Sequence, residues 1–156
     1  MPVPKAEVLE LMRREVDPAE VDEIRELWKA HSKAEDARSI EGLLATLSED
    51  CVYTVYPDER SWHGHEGAAR FYTELLTAFP DIVFELQNIV IGPQGVVEEA
   101  IVTGTQRAKW LDQEPTGETM TWRNAIFFPW DREARLFKGE RVYTDLARPA
   151  TKGRNT

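Results

Sequence analysis

Two carboxylates stand near the end of this chain, in the run Glu140-Arg141-Val142-Tyr143-Thr144-Asp145. A carboxyl group walled by apolar side chains resists ionisation. Its pKa rises toward neutral pH, where it can take a proton from carbon and return it. The run reads as a strand, and strand side chains alternate. Glu140, Val142 and Thr144 therefore share one face, and Arg141, Tyr143 and Asp145 share the other. Only one carboxylate faces a pocket unless a bulge intervenes. Asp145 is the first choice for pocket acid or base and Glu140 the second. The competing role for either is a cross-strand ion pair with Arg107 or Arg123.

Other residues could assist such a group. Asn124 interrupts the apolar alternation Met120, Trp122, Ile126, Phe128. A buried Asn needs a hydrogen-bond partner, and it either donates to a developing enolate oxygen or ties down a neighbouring strand. His63 and His65 precede a helix. His63 suits a pocket proton donor or shuttle. A metal site at this pair would need a third ligand, and only His31 and scattered carboxylates remain. No glycine-rich phosphate loop follows a strand, so neither metal nor organic cofactor is expected. Cys51 is the sole cysteine, read as a small buried residue rather than a thiol nucleophile.

Several elements must position these groups. Residues 5–16 read as a short helix or an arm. Asp17-Pro18-Ala19-Glu20 carries the residues of a helix start, and Val21, Ile24, Leu27, Trp28 and His31 follow on one stripe. His31 reads as a packed helix-edge histidine or a pocket residue. Asp36 or Ser39 caps a second helix with Ile40, Leu43, Leu44 and Leu47 on its apolar face. Cys51–Tyr56 is the first strand, and Pro57–Arg60 a turn. From Ala68 onward Phe71, Tyr72, Leu75, Leu76 and Phe79 form one helical face, which Pro80 ends. Four strands then follow at 82–91, 96–110, 118–130 and 136–146, joined by short polar connections. Helices first, one strand, a helix, then a meander describe an α+β domain with a pocket between helices and sheet.

The chain has 156 residues, 42% of them apolar, and a net charge of −9. That length suits one domain with a real core. The acidic balance opposes nucleic acid and anionic membranes as partners. The charged N-terminus is no signal peptide and nothing approaches transmembrane length, so a cytoplasmic location is expected.

Several short motifs together resemble a known family. They are His63-Gly64 before a helix, Phe79-Pro80-Asp81, Gly104-Thr105-Gln106, Pro115-Thr116-Gly117 and the run 140–145. In this order they are similar to the SnoaL-like polyketide cyclases of the nuclear transport factor 2-like superfamily, over roughly residues 20–147. The resemblance implies a cystatin-like cone, a curved antiparallel sheet wrapped on N-terminal helices, over 17–147. Residues 1–16 would be an arm or short helix and 148–156 a disordered tail. It also implies a homodimer and an apolar pocket that works without a cofactor. Gln106 stands where many relatives carry a His, and Gln cannot shuttle a proton. Arg123-Asn124-Ala125 lacks the Asp of the epoxide hydrolase branch, which argues against epoxide hydrolysis.

The resulting expectation is a cofactor-free cyclase or isomerase that abstracts a proton beside a carbonyl of a small hydrophobic molecule. Asp145, Glu140, His63 and Asn124 are its candidate catalytic residues. Tyr53, Trp62, Tyr72, Phe79, Gln106 and Trp122 are its candidate substrate wall. The alternative is a non-catalytic small-molecule-binding or dimerisation domain of the same fold. The dimer is expected through the outer sheet face, because both faces of 96–103 carry apolar side chains.

Overall fold

The computed structural model describes residues 2–146. The tail expected at 148–156, and residue 147 of the cone, lie outside the described residues. Helix α1 (Lys5–Arg13) buries no side chain. Its end is held by the Gln94 amide, which donates to the Leu11 carbonyl at 2.8 Å. Helix α2 (Pro18–Asp36) starts where the sequence placed it, with the Asp17 carboxylate accepting from the Ala19 N–H. Helix α3 (Ile40–Leu44) is capped by Ser39, whose hydroxyl accepts from Gly42, rather than by Asp36.

Strand β1 (Leu47–Tyr56) begins four residues before the expected Cys51. Ser48, Glu49 and Asp50 do not break the strand but distort it, in a register shift between Leu47 and Val52. The segment after Pro57 is more than a turn. It ends in a short strand, β2 (Arg60–His63), paired antiparallel with β1. Helix α4 (Gly64–Ala78) buries Ala68, Phe71, Tyr72, Leu75 and Ala78 on the expected face. Each large side chain there contributes on the order of 2–3 kcal/mol of hydrophobic stabilisation. Strands β3 (Val83–Gly92), β4 (Gly95–Thr105), β5 (Thr119–Asp131) and β6 (Leu136–Thr144) make the meander. β4 stops at Thr105 rather than Trp110, because the chain turns there and the Arg107 N–H bonds to the Ala78 carbonyl at 2.7 Å.

The six strands form one open sheet in the order β2-β1-β6-β5-β4-β3. Every neighbouring pair is antiparallel except β1 with β6, which runs parallel. No short connection joins those two strands, so no hairpin dictates their sense. The helices cover the inner face, and Ile24, Leu43, Tyr53, Phe71, Phe79, Phe128 and Phe137 form the core between the layers. This is the α+β cone, with its sheet unclosed.

One irregularity matters more than the rest. Between the pairs Trp130–Phe137 and Phe127–Arg141, β6 holds one residue more than β5. Gly139 sits in that bulge at φ +104°, and a Cβ there would lie 2.1 Å from the Val52 carbonyl oxygen. Only glycine fits such an approach. The extra residue breaks the period of two, so Phe137 and Glu140 both point to the inner face.

Candidate functional site

Four side chains from four elements meet beneath α2. Glu140 is brought inward by the β6 bulge and is 3% exposed. His31 comes from the buried stripe of α2, Tyr72 from α4 and Tyr53 from β1, and all three are buried. The Tyr72 hydroxyl donates to Glu140 Oε1 at 2.8 Å, and the Tyr53 and Tyr72 hydroxyls are 2.9 Å apart. His31 Nε2 lies 3.0 Å from both Glu140 Oε1 and the Tyr72 hydroxyl.

The proton arrangement follows from the far side of the imidazole. Thr46 Oγ1 donates to the Leu43 carbonyl at 2.7 Å, so its one proton is committed. His31 Nδ1, 2.7 Å from that oxygen, must therefore be the donor. Nε2 then faces a carboxylate oxygen. The short contact between them requires one shared proton, held as an imidazolium–carboxylate pair or as imidazole and carboxylic acid. Such a dyad can accept a proton in one step and deliver one in the next.

More carboxylates surround it. Glu35, one helical turn after His31, and Glu140 line a cavity of about 40 Å³ with Phe71, Tyr72, Trp110, Trp122 and Asn124 among its walls. Glu98 projects from the inner face of β4 and accepts from Trp28 Nε1 at 3.0 Å. Burial, then the negative charge of Glu140, pushes Glu98 up to about 7. Burial, then Glu140, Glu98 and Asp36, pushes Glu35 well above the usual carboxylate value, against a smaller pull from Arg38. Burial, then Glu140, raises both tyrosines, so their hydroxyls stay protonated. One nitrogen of His31 and one oxygen each of Glu35 and Glu140 lie within 4.8 Å of one another, the one metal-capable grouping found among the described residues.

The sequence-derived candidates are distributed unevenly about this centre. Tyr72, Trp122, Asn124 and Glu140 line the cavity, and Tyr53 reaches it through Tyr72. Trp62 stacks on the wall residue Trp110 at 6.2 Å, and Phe79 packs on Trp122 at 5.0 Å. Gln106 is 1% exposed and donates to the Gln113 carbonyl, holding the loop that carries Trp110. His63 is exposed at the start of α4 with no side-chain cap bond. Its neighbour His65 bonds the Leu47 carbonyl. Asp145 is exposed beyond the end of β6, where it accepts from the Arg123 backbone N–H at 2.5 Å. It lines a wide, open trough of about 520 Å³ with Tyr56, Arg123 and Tyr143. That trough is the larger concavity, but Glu35, Glu98 and Glu140 stand outside its lining.

Sequence reasoning gave no candidate role to Glu35 or Glu98, and placed His31 without including it in the catalytic set. The signal was present: a His and then a Glu four residues on beside an apolar stripe, and a Glu in the inward alternation Val96, Glu98, Ala100, Val102.

The comparisons agree with the fold. Solved structures similar to this chain include a protein from Jannaschia sp. CCS1 described as a SnoaL-like polyketide cyclase. It is 21% identical, with 86% of this chain and 90% of that one covered at a TM-score of 0.68. AclR from Streptomyces galilaeus, described as a hydroxylase, is 18% identical over 80% and 90% of the two chains, TM-score 0.64. An NTF2-like protein of unknown function from Burkholderia pseudomallei K96243 is 14% identical over 80% and 92%, TM-score 0.67. At such identities the likeness speaks for the fold. No curated protein matches the sequence. The SnoaL-like domain family matches residues 22–137, a span that runs from within α2 to the start of β6 and holds every residue of the buried centre except Glu140, and the chain belongs to that family.

Proposed function

We propose that the chain is a cofactor-free enzyme of the cyclase or isomerase type, moving a proton beside the carbonyl of a small, largely apolar molecule. Glu140 is the group that takes the proton from carbon, in preference to Asp145. The electron pair moves onto the carbonyl oxygen, and a tyrosine hydroxyl of the Tyr53–Tyr72 pair donates to it. His31 holds the shared proton and returns it through Glu140. The supporting observation is the meeting of Glu140, His31 and Tyr72 within 3.0 Å at the inner end of an aromatic cavity. Asp145, by contrast, is engaged with backbone on the exposed side of the sheet.

The test is deuterium uptake, followed by NMR, at the α-carbon of small aryl ketones such as acetophenone. The wild-type chain should accelerate exchange, and Glu140→Gln should lose about a hundredfold or more of that acceleration. Equal exchange by both proteins would overturn the assignment of Glu140.

We further propose a homodimer formed through the outer sheet face. Val83, Val90, Val97 and Tyr143 are exposed on it, and Tyr143 stacks on Tyr56 at 4.8 Å. Among the described residues no helix is long and apolar enough to cross a membrane.

A further inference from the structure

The charge balance of the cavity is one-sided. Glu35 and Glu140 line it, Glu35, Asp36 and Glu98 line a space of about 80 Å³ beside it, and neither lining contains a Lys or Arg. His31 is the only basic side chain among them. Its one proton offsets one carboxylate at most. Glu35 has no hydrogen-bond or ion-pair partner for its carboxylate among the described residues. An independent observation points the same way. Asn124, 9% exposed and in the same wall, has a buried side-chain oxygen with no donor. The Glu35 carboxyl and this amide oxygen are thus two oxygens in one wall that no donor meets. Around them stand the faces of Trp110, Trp122 and Phe71.

An anionic ligand, or an enolate formed from a neutral one, would be repelled by any ionised carboxylate here and would leave the Glu35 and Asn124 oxygens without a donor. A ligand bearing a donor-only positive group reverses every one of these terms. It gives N–H bonds to Glu35 and Asn124, pairs with the charge that Glu35 takes on as its proton leaves, and lies against aromatic faces that attract cations. We infer that the ligand of this cavity carries a protonated amine, seated between Glu35, Glu140 and Asn124. A cavity of about 40 Å³ suits an ammonium head group. This inference rests on the same cavity as the proposed reaction and names its substrate class: an amine-bearing carbonyl compound, whose cation stabilises the enolate formed beside it.

The test uses three probes of one shape: 2-phenylethylammonium, 2-phenylethanol and phenylacetate, each titrated calorimetrically into the full chain. Only the ammonium should bind well, about tenfold or more tighter than the alcohol. Its binding should release protons, read as a dependence of the heat on buffer ionisation enthalpy, because the cation draws Glu35 into its charged form. The groups facing Glu35 are His31, Asp36, Arg38, Glu98 and Glu140. Glu35→Gln should weaken the ammonium at least about tenfold, abolish the proton release and leave the alcohol unchanged. Asn124→Leu, an independent variant, should weaken it about threefold or more. Equal binding of alcohol and ammonium overturns the inference, as does unaltered ammonium binding by Glu35→Gln. So does one-to-one binding of zinc or manganese without binding of the ammonium. Ketone exchange that depends on Glu140 without ammonium preference sinks the substrate class alone. Ammonium binding without such exchange leaves this inference standing and removes the proposed reaction.

Discussion

At the scale of residues, Glu140 and Asp145 show how environment separates two chemically similar groups. Both are carboxylates five positions apart, yet one is 3% exposed between a histidine and a tyrosine, and the other is exposed and bound to backbone. The proposed roles differ accordingly, and Asp145→Asn checks them. Asparagine keeps an oxygen to accept from the Arg123 N–H. That variant should therefore retain ketone exchange within about twofold and shift stability by less than about 1 kcal/mol. A loss of exchange as deep as that expected for Glu140→Gln, with the fold intact by circular dichroism, would return the base to Asp145.

At the scale of elements, the β6 bulge determines which face Glu140 occupies. Gly139 lets β6 press against the Val52 backbone and adds the residue that turns Glu140 inward. Gly139→Ala should cost about 3 kcal/mol or more, since it combines a strained positive φ with a backbone clash. Urea denaturation measures that loss. If the variant folds by giving up the bulge, Glu140 faces outward and ketone exchange disappears with the protein still compact. Wild-type stability in this variant would remove the bulge from the account. A second fastening is Glu20, which accepts from Trp130 Nε1 and from two nitrogens of Arg132, tying the start of α2 to the β5–β6 turn. The His31 end of α2 is held by Thr46.

At the scale of the whole molecule, burial of acidic groups links the cavity to global stability. Glu98 is raised to about 7 from an ordinary 4.5, so the folded chain holds a proton there that the unfolded chain has released. Stability from this group is fully present below about pH 4.5 and is lost as pH rises through about 7. The loss is on the order of 3 kcal/mol. Glu98→Gln should remove this slope and make the protein more stable than wild type at about pH 8, as read from denaturant midpoints across pH. An unchanged slope in the variant would refute the link. Glu20 behaves oppositely. Arg132 bonding holds it down to about 2, so its contribution is lost only in strong acid, outside that window. The proposed dimer is also a property of this scale. Light scattering across a hundredfold range of concentration should give twice the chain mass, and a constant monomer mass would end the proposal.

What the sequence determined by itself was what depends on near neighbours. Asp17 and Pro18 start α2, Phe71, Tyr72 and Leu75 share one face of α4, and the partition of Glu140 from Asp145 follows from strand alternation. Those are local rules of spacing and capping, and together with short motifs they made the family and the cone legible. Which face of β6 turns inward was not local. It depended on a one-residue mismatch between β6 and β5, and on Gly139 meeting Val52, a residue far away along the chain. The parallel pairing of β1 with β6 and the short β2 were hidden for the same reason, since pairing partners leave little mark on a single strand. The meeting of His31, Glu35, Glu98 and Glu140 was hidden most deeply, because Glu35 and Glu98 look like ordinary surface residues, and nothing ties His31 to Glu140, until α2 is laid across the sheet. Only packing removes the water that would keep them apart, and only then does their mutual repulsion become a site.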